Sequence, residues 1–401
     1  MRLMTTLAGQ KHNLVRILSL LAALGSLMWL VLSLQWFRGV RKVPVLKDLR
    51  QSDGQDHDPA LSVILAARDE EQSVGETVES LLAQDYSGAL TVTAINDRSA
   101  DRTGQILDEL ATKLPHKLRV LHVDSLPAGW LGKTHALHIG ATQAQGEWLL
   151  FTDADVIFSD DCADRAVRYA IDNGLDHLTM PPEIVCGSVP LRSFVAAFTL
   201  VFEITQRPWR VSDPRAQEHV GVGAFNLIRK DAYEKSGTHR AIRMRPDDDM
   251  KLAKLVKRQG FGQGVAYGVG LISVEWHRTL PDAVRGLSKS MFPGLDYRIG
   301  ATVAGVLMLL LNNVLPVFFL FSRNAGGTLC RLNLLSTFLV YAYRARHFGN
   351  ETPWWYAGLH PFGIGVFIYA MLRSASATII NGGIEWRGTR YPLEELKDNA
   401  V

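Results

Sequence analysis

The sequence predicts an α/β fold with a mainly parallel sheet, flanked by transmembrane helices. Within residues 61–155, short apolar runs alternate with stretches of helical spacing, and strict alternation of strand and helix is typical of parallel sheets. Long, nearly uncharged apolar runs lie outside this region, as in membrane-spanning helices. Apolar residues make up 47% of the 401 residues and charged residues only 21%, which agrees with a chain that is partly embedded in a membrane.

The predicted strands and helices follow one another in a regular order. Four apolar runs predict strands, at 61–67 (LSVILAA), 90–97 (LTVTAIND), 118–124 (LRVLHVD) and 147–155 (EWLLFTDAD). The three segments between them place apolar residues at helical spacing, at 73–84, 101–114 and 133–145. Each strand is thus followed by a crossover helix, as a parallel sheet requires.

Four apolar runs are candidates for membrane spans, at 14–37, 301–321, 332–343 and 355–380. The first two carry at most one charge, Arg16, and are long enough to cross a bilayer. The first is too long for a cleavable signal peptide, and no small-residue cleavage site follows it. The third is short and the fourth contains His360 and Arg373, so these two are the weaker candidates.

The basic segment after the first run, RGVRKVPVLKDLR, predicts the orientation. The positive-inside rule places this segment in the cytoplasm, together with the region up to the second run. We therefore expect a multi-pass protein of the cell inner (plasma) membrane. The predicted divisions are an N-terminal helix with its basic segment (1–50), a polar linker (51–58), a cytoplasmic domain (60–298), a C-terminal region of two to three spans (299–385) and a polar tail (386–401).

Composition and motifs exclude several classes of function. The formal net charge is only +3, so we expect no nucleic-acid partner. The cysteines Cys162, Cys186 and Cys330 are far apart and have no His at ligand spacing, which favours buried free thiols over a disulfide framework or a zinc site. No G-x-G-x-x-G follows the first strand and no G-x-x-x-x-G-K-[ST] occurs, so dinucleotide-binding and P-loop sites are disfavoured.

Polar side chains gather where three predicted strands end. In a parallel sheet these ends meet at one edge, which is where ligands bind. Two carboxylates one residue apart repel each other unless a cation lies between them, so the pair after the fourth strand predicts a divalent cation. The residues are Arg68-Asp69-Glu70 after the first strand, Asp97 after the second, and Asp153 and Asp155 after the fourth.

Four segments in this order, LSVILAARDEE, INDRSADRT, GWLGKTHALHIG and FTDADV, resemble the successive signature segments of family 2 glycosyltransferases of the GT-A fold. The resemblance implies a nucleotide-diphosphate sugar as donor. It also implies a site with Ala66, Arg68, Asp69 and Glu70 in the first loop at the nucleoside, Asp97 at the base, Lys133 at the base or diphosphate, and Asp153 and Asp155 as a D-x-D pair that holds Mg²⁺ or Mn²⁺ on the diphosphate. Ala66 and Asp69 stand where the family usually has Pro and Asn.

A second acidic segment, RPDDDMKLAKLVKRQGFG at 245–262, begins with three aspartates and continues at helical spacing. Acidic residues at a helix start are ordinary capping chemistry. The segment also resembles the family's E-D-x-x-L element, with Asp248 in the Glu position and Asp249 in the Asp position. This resemblance implies Asp249 as the general base for the acceptor hydroxyl, with Asp248 as the next candidate and inversion at the anomeric carbon.

The segment VEWHRTL at 274–280 does not match the Q-x-x-R-W element of processive polysaccharide synthases. A long-chain synthase is therefore disfavoured. His277 and Arg278 remain open between contacts to the phosphate or acceptor and a structural role.

The chain most resembles the hopene-associated glycosyltransferases, with ceramide glucosyltransferase-like enzymes next, on GWLGKTHAL and the arrangement of apolar runs. This resemblance implies a lipid or polyisoprenoid acceptor, for example a hopanoid. The apolar stretch 188–210 remains open between a buried helix and a helix lying in the bilayer interface. In the second case we expect this stretch and the loop SKSMFPGLDYRIG, with Phe292, to frame access for the lipid. The alternatives are a membrane protein that binds a nucleotide sugar without turnover, a polysaccharide acceptor, and nucleotidyl transfer.

Overall fold

The computed structural model of the chain describes residues 2–49, 59–348, 353–399 and 401. The linker predicted at 51–58 lies outside the described residues. The chain divides into two compact units. The sheet unit comprises Arg41–Val185, Gln206–His277 and Ala377–Val401, and the helical unit comprises Met1–Val40, Cys186–Thr205 and Arg278–Ser376.

The strands and helices are numbered here along the chain. The strands are β1 (Leu61–Ala67), β2 (Leu90–Asp97), β3 (Leu118–Val123), β4 (Trp148–Asp153), β5 (Val156–Phe158), β6 (His177–Thr179), β7 (Glu183–Ile184), β8 (Asn226–Arg229), β9 (Gln263–Val265), β10 (Ile272–Val274), β11 (Gly383–Trp386) and β12 (Thr389–Pro392). The helices are α1 (Arg2–Val40), α2 (Val74–Leu82), α3 (Thr103–Lys113), α4 (Gly132–Gln143), α5 (Cys162–Asp172), α6 (Val189–Gln206), α7 (Lys230–Lys235), α8 (Asp248–Arg258), α9 (Leu280–Leu287), α10 (Met291–Gly294), α11 (Ile299–Leu309), α12 (Ala325–His347), α13 (His360–Ile380) and α14 (Leu393–Asp398).

The sheet unit is built on a seven-stranded sheet in the order β3-β2-β1-β4-β8-β6-β9. β1 lies between β2 and β4 and is parallel to both, and β3 is parallel to β2. β8 is antiparallel to its neighbours β4 and β6. The mainly parallel α/β sheet is therefore confirmed, and β1–β4 with α2–α4 begin and end within a few residues of the predicted bounds.

Both faces of this sheet are buried. Val63 and Leu65 of β1 pack on one face with α2 and α5, whereas Ile64 packs on the other face with Leu137 of α4 and Leu252 of α8. Burying one such side chain stabilises the fold by roughly 1.5–3 kcal/mol. A strand buried on both sides has to be continuously apolar, which explains why β1 and β4 are apolar runs that turn polar only where they end.

The C-terminal residues differ from the prediction. The sequence predicts a polar tail at 386–401, whereas these residues complete the antiparallel β11–β12 hairpin and form α14. Ile384, Tyr391 and Leu396 are buried, and the whole segment belongs to the sheet unit. Only two of these buried side chains, Tyr391 and Leu396, lie within 386–401, so the segment shows no clear periodicity in the sequence.

Helix α6 also changes the predicted division, because it interrupts the sheet unit in sequence and belongs to the helical unit. Within the helical unit, α6 takes part in a buried ion pair. Arg344 donates to Glu203 of α6 at 2.6 Å, and the indole of Trp36 donates to the same carboxylate at 2.7 Å. A charge in apolar surroundings is stable only when paired, so this group of three ties α6 to α1 and α12.

Among the described residues, three helices are long and apolar enough to cross a membrane: Gln10–Val40, Ile299–Phe319 and Trp354–Ile380. They contain three of the four predicted runs. The remaining run lies in α12, which also carries Arg331, Arg344 and Arg346. Phe292 is only 2% exposed and its ring packs edge-on against Tyr297, so the structure does not support Phe292 as part of a lipid access route.

Candidate active site

The ends of the central strands bring the predicted site residues to one edge of the sheet. Ala66 of β1 is paired with Asp153 of β4, and Ala67 is paired with Asn96 of β2. The loop Arg68–Glu70 therefore lies between the ends of β2 and β4. The structure thus brings together the acidic groups that the sequence placed after three separate strands.

The loop after β1 is fastened to the loop after β2 by hydrogen bonds in both directions. The Asp69 N–H donates to Ser99 Oγ at 3.1 Å, and Asp69 Oδ1 accepts from the Ala100 N–H at 2.8 Å. The Glu70 N–H donates to Thr103 Oγ1 at 2.8 Å. Asp69 has a φ of 54°, a left-handed conformation that Asp tolerates better than most residues. These bonds hold the two loops in a fixed mutual position.

Asp97 is the most enclosed acidic group at this edge and is 3% exposed. Arg98 donates to both of its carboxylate oxygens, at 2.8 and 2.9 Å. The hydrogen bond with Asp97 raises the pKa of Arg98. Gly132, at the start of α4, lies so close that a Cβ there would be 2.3 Å from Asp97 Oδ2. The predicted base contact thus lies beside an arginine that the sequence analysis did not select.

Lys133 lies among the carboxylates of two different segments. Its Nζ is 2.7 Å from Asp153 Oδ1 and 3.8 Å from Asp248 Oδ1. Burial lowers the pKa of Lys133, but the charges of Asp153, Asp248 and Asp249 outweigh burial and raise that pKa above its ordinary value. Lys133 is therefore firmly protonated, and it links the D-x-D segment to the start of α8.

The D-x-D pair has the chemistry that a hard divalent cation needs. Burial raises the pKa of Asp155 to about 7, and the charges of Asp153 and Glu70 act in the same direction. Excess negative charge of this kind is relieved by a cation. Among the described residues no group of three or more His, Cys, Asp or Glu side chains is arranged to hold a metal ion. In proteins Mg²⁺ is usually held by one or two carboxylates together with substrate phosphates and water, and Mn²⁺ also prefers oxygen ligands.

Arg68 adds a further sign of an anionic ligand. Its Nε is buried without a hydrogen-bond partner in the described part of the chain, and it lies 3.9 Å from Asp69 Oδ2. A buried donor left without a partner costs about 1–3 kcal/mol. A phosphate or ribose oxygen at this position would remove that cost.

The three consecutive aspartates at the start of α8 have different partners. Asp247 accepts two hydrogen bonds from the buried Arg245, at 2.9 and 3.0 Å. Asp248 is 4% exposed and faces Lys133. Asp249 is only partly buried and accepts from the Gly223 N–H at 2.9 Å. Burial, followed by the charge of Asp248, raises the pKa of Asp249 to about 7. Asp249 is thus the partly exposed carboxyl of the three.

Two glycines that no sequence motif singled out, Gly221 and Gly223, shape the site. A Cβ on Gly223 would lie 2.6 Å from Asp153 Oδ2 and 3.2 Å from Lys133 Nζ, and a Cβ on Gly221 would lie 2.0 Å from the Asp249 carbonyl oxygen. The G-x-G pattern in VGVGAF, just before β8, is the signal that could have indicated this close approach. The loop 221–223 therefore joins the D-x-D segment to Asp249.

His277 and Arg278 are not among the groups gathered around Lys133. The His277 ring lies against Trp276, with 4.8 Å between ring centroids, and Trp276 packs against the core of the sheet unit. Arg278 is the first residue of the last segment of the helical unit. Their predicted contacts with phosphate or acceptor stay a prediction.

Comparison with known proteins agrees with this geometry. The family model of glycosyl transferase family 2 matches residues 62–237, which include all of β1 except Leu61, the strands β2 to β8, and the D-x-D pair. The protein is a glycosyltransferase. Its candidate site residues lie within the matched residues and at the start of α8.

Two similar proteins align with most of the length of this glycosyltransferase. The 4,4′-diaponeurosporenoate glycosyltransferase of Staphylococcus aureus strain MRSA252 is 22% identical over 344 residues, which is 84% of this chain and 89% of that protein. The structure of the mannosyltransferase PcManGT from Pyrobaculum calidifontis, in complex with GDP-Man and Mn²⁺, aligns with a TM-score of 0.54 at 14% identity. It covers 90% of this chain and 99% of the other. The GT-A fold is thereby confirmed.

Proposed function

We propose that this glycosyltransferase moves a sugar from a nucleoside-diphosphate sugar to a lipid or polyisoprenoid acceptor at the membrane, with inversion at the anomeric carbon. The observation that carries the proposal is the position of Lys133 between Asp153 and the α8 carboxyls. It joins a segment suited to a diphosphate with one suited to an acceptor. The GDP-Man and Mn²⁺ held by the Pyrobaculum protein support this class of donor and metal.

Asp153 and Asp155 would hold the Mg²⁺ or Mn²⁺, which neutralises the charge that develops on the departing diphosphate. Arg68 and Lys133 are the cationic groups beside these carboxylates, and the fastened loops after β1 and β2 fix the position of the nucleoside. These groups bind the donor and orient its anomeric carbon, which reduces the entropy cost of the transfer.

Asp249 acts on the acceptor. The acceptor hydroxyl oxygen bonds to the anomeric carbon while the bond from that carbon to the diphosphate oxygen breaks, and Asp249 accepts the hydroxyl proton. The nucleoside diphosphate leaves with the bonding electrons, and a single displacement inverts the configuration. A pKa of about 7 for Asp249 suits a general base at neutral pH.

The acceptor class rests on three observations. Three helices are long and apolar enough to cross a membrane, and α6 is packed with such helices although it lies within the sequence of the catalytic region. The similar Staphylococcus protein is named for transfer to 4,4′-diaponeurosporenoate. A hopanoid is the finer acceptor that the sequence resemblance favours. We place the protein in the inner membrane with the sheet unit in the cytoplasm.

The test uses the purified full-length protein in detergent with Mn²⁺, radiolabelled sugar nucleotides and lipids extracted from the source cells. Label that passes into the organic phase as a glycolipid supports the proposal. Label that stays in a high-molecular-weight aqueous product would indicate a polysaccharide acceptor. Nucleotide-sugar binding with no release of nucleoside diphosphate would indicate a binding protein without turnover. Either of the last two outcomes contradicts the proposal.

A further inference from the structure

The tip of the C-terminal hairpin is strained, and it points at the donor loops. The two residues between β11 and β12 are Arg387 and Gly388, with φ values of 50° and 73°. Two left-handed residues make the tight turn that a two-residue hairpin favours, and Asn, Asp or Gly normally occupy its first position. An arginine there costs conformational energy. Such strain is retained where the side chain has another role.

The Arg387 side chain reaches the loop after β1. Its guanidinium donates to the carboxylate of Glu70 and lies 3.5 Å from the Asp69 carbonyl oxygen. Tyr391, on the returning strand, accepts from the Gly132 N–H at 3.4 Å, and its hydroxyl also raises the pKa of Arg98. The hairpin therefore contacts both donor loops and the start of α4.

The charges around Arg387 identify what it is suited to bind. Glu70, its present partner, is close enough to Asp155 to act on it electrostatically, so Arg387 lies near the group expected to hold the donor's metal. A guanidinium binds a carboxylate and a phosphate alike, with two parallel hydrogen bonds. Because a diphosphate carries more negative charge than the single carboxylate of the partly exposed Glu70, one arriving beside Asp155 would attract Arg387 more strongly.

We propose that the C-terminal hairpin forms a wall of the donor site and that Arg387 is a donor-binding residue, which exchanges Glu70 for the phosphate oxygens of the nucleoside diphosphate. Tyr391 holds the hairpin in place against Gly132 and Arg98. This inference rests on the proposed function, because it assumes a nucleoside-diphosphate donor. It assigns a donor contact to a segment that lies outside the matched family domain, whose last residue is 237.

The test compares two arginines of the same hairpin. Arg387→Asn removes the charge and keeps the turn, because Asn tolerates the left-handed conformation. Arg387→Lys keeps the positive charge but lacks the two parallel N–H donors of the guanidinium. Arg390→Asn is the matched control, since Arg390 lies on β12 and donates to the Asn381 carbonyl oxygen instead. Calorimetric titrations of the full-length protein with GDP and UDP, and with guanosine and uridine, in the presence of Mn²⁺ give the affinities.

We expect Arg387→Asn to weaken the binding of whichever of GDP and UDP the wild-type protein binds. The affinity should fall about 10- to 100-fold, as for a lost hydrogen bond to a charged group. The affinity for the corresponding nucleoside should stay within about twofold of wild type. Arg387→Lys should lie between Arg387→Asn and wild type, and Arg390→Asn should match wild type. Arg387→Gly, which also fits the turn, repeats the test if Arg387→Asn unfolds.

Two negative results have different meanings. If the wild-type protein binds neither nucleoside diphosphate, the proposed function fails. If the wild-type protein binds one of them and Arg387→Asn binds it equally well, Arg387 is not a donor ligand and only this inference fails. An equal loss of nucleoside and nucleoside-diphosphate binding in Arg387→Asn would also overturn it, because the hairpin would then act through the shape of the site and not through phosphate.

Discussion

Gly223 donates its backbone N–H to the carboxylate of Asp249 at 2.9 Å. A hydrogen bond to the charged form stabilises a carboxylate, whereas burial beside Asp248 destabilises it. The second effect prevails, because the pKa of Asp249 is raised to about 7. The carboxyl is therefore held in a fixed orientation while it keeps the affinity for protons that a general base needs.

Replacing Asp249 with Asn preserves the shape of the side chain and removes the base. We expect turnover to fall by about 10²- to 10⁴-fold while the affinity for the nucleoside diphosphate changes little, since the donor is held elsewhere. Steady-state kinetics and calorimetry on the same preparation measure both. Asp231→Asn is the control, since Asp231 is half-buried at the start of α7 and pairs with Arg229 instead. Turnover close to wild type would move the base to Asp248.

The raised pKa of Asp249 also predicts two effects of pH. Turnover should rise as pH increases through about 7, because only the carboxylate accepts a proton. The pKa of an unfolded Asp is about 4, so this group's contribution to stability is present below about pH 4 and is lost as pH rises through about 7. Thermal denaturation in EDTA should show a smaller decrease in stability from pH 5 to pH 8 for Asp249→Asn than for wild type. Equal decreases would contradict the raised pKa of Asp249.

Alanine at the two glycines of the 221–223 loop should have different effects. At Gly221 the new Cβ meets the Asp249 backbone at 2.0 Å, so α8 or the loop must move and the melting temperature should fall by several degrees. At Gly223 it meets only side-chain ends, those of Asp153 and Lys133, which can move by rotation about their own bonds. Gly223→Ala should therefore fold nearly normally and lose about tenfold or more in donor affinity. The reverse ranking of stability would be inconsistent with the observed contacts.

Removal of the metal should weaken the binding of the donor at the D-x-D pair. Without a cation, Asp153 and Asp155 repel a diphosphate, so EDTA should lower donor affinity by more than about 100-fold. Mg²⁺ or Mn²⁺ should restore it in the wild-type protein and not in Asp155→Ala. The binding of nucleoside alone serves as the control, because it carries no phosphate. Donor binding that is insensitive to EDTA would exclude the proposed metal role.

The C-terminal hairpin constrains the membrane topology. It belongs to the same compact unit as the catalytic strands, so a topology that keeps this unit in the cytoplasm, as proposed, needs an even number of crossings between 298 and 377. α12 runs parallel to α1, since Ser26 contacts Cys330 at 3.6 Å and Trp36 lies against Tyr343. We therefore predict crossings by α11 with the turns that follow it and by α12, and none by α13, although α13 is long and apolar enough to cross.

Reporters test this topology directly. Fusions after residue 50, after Arg346 and at Val401 should all report the cytoplasm, because the sheet unit includes the first and last of these regions. A four-span arrangement would place the C-terminal fusion on the opposite side. A cytoplasmic signal at Val401 with an external signal after Arg346 would mean that α13 crosses in place of α12.

Much of the catalytic half could be predicted because each of its elements carries its own signal. β1 to β4 are apolar runs that end in polar residues, and Asp153 and Asp155 follow directly from the end of β4. Because these strands lie side by side in the sheet, the side chains at their ends lie close together. Lys133 and Asp249 came from the resemblance, since neither a lysine nor an aspartate at a helix start is informative alone.

The contacts that the sequence did not predict are those between distant segments. Nothing in the chain indicates that Arg98 turns back on its neighbour Asp97, or that Arg387 meets Glu70 across 317 positions. Nor does it indicate that Glu203 of α6 pairs with Arg344 of α12 within the helical unit. Such pairings depend on which segments the tertiary fold brings together, and local periodicity in the sequence carries no information about that.

The order in which the sheet unit is assembled has a consequence for biosynthesis. The β11–β12 hairpin of this unit follows α13 in the chain, so the ribosome synthesises α11, α12 and α13 before the hairpin. Domains generally fold as units during synthesis, but the sheet unit is complete only when the hairpin has been made. A nascent chain that has not reached Tyr391 lacks the contact between that residue and Gly132. The sheet unit should therefore reach its final form only after these three helices have been synthesised.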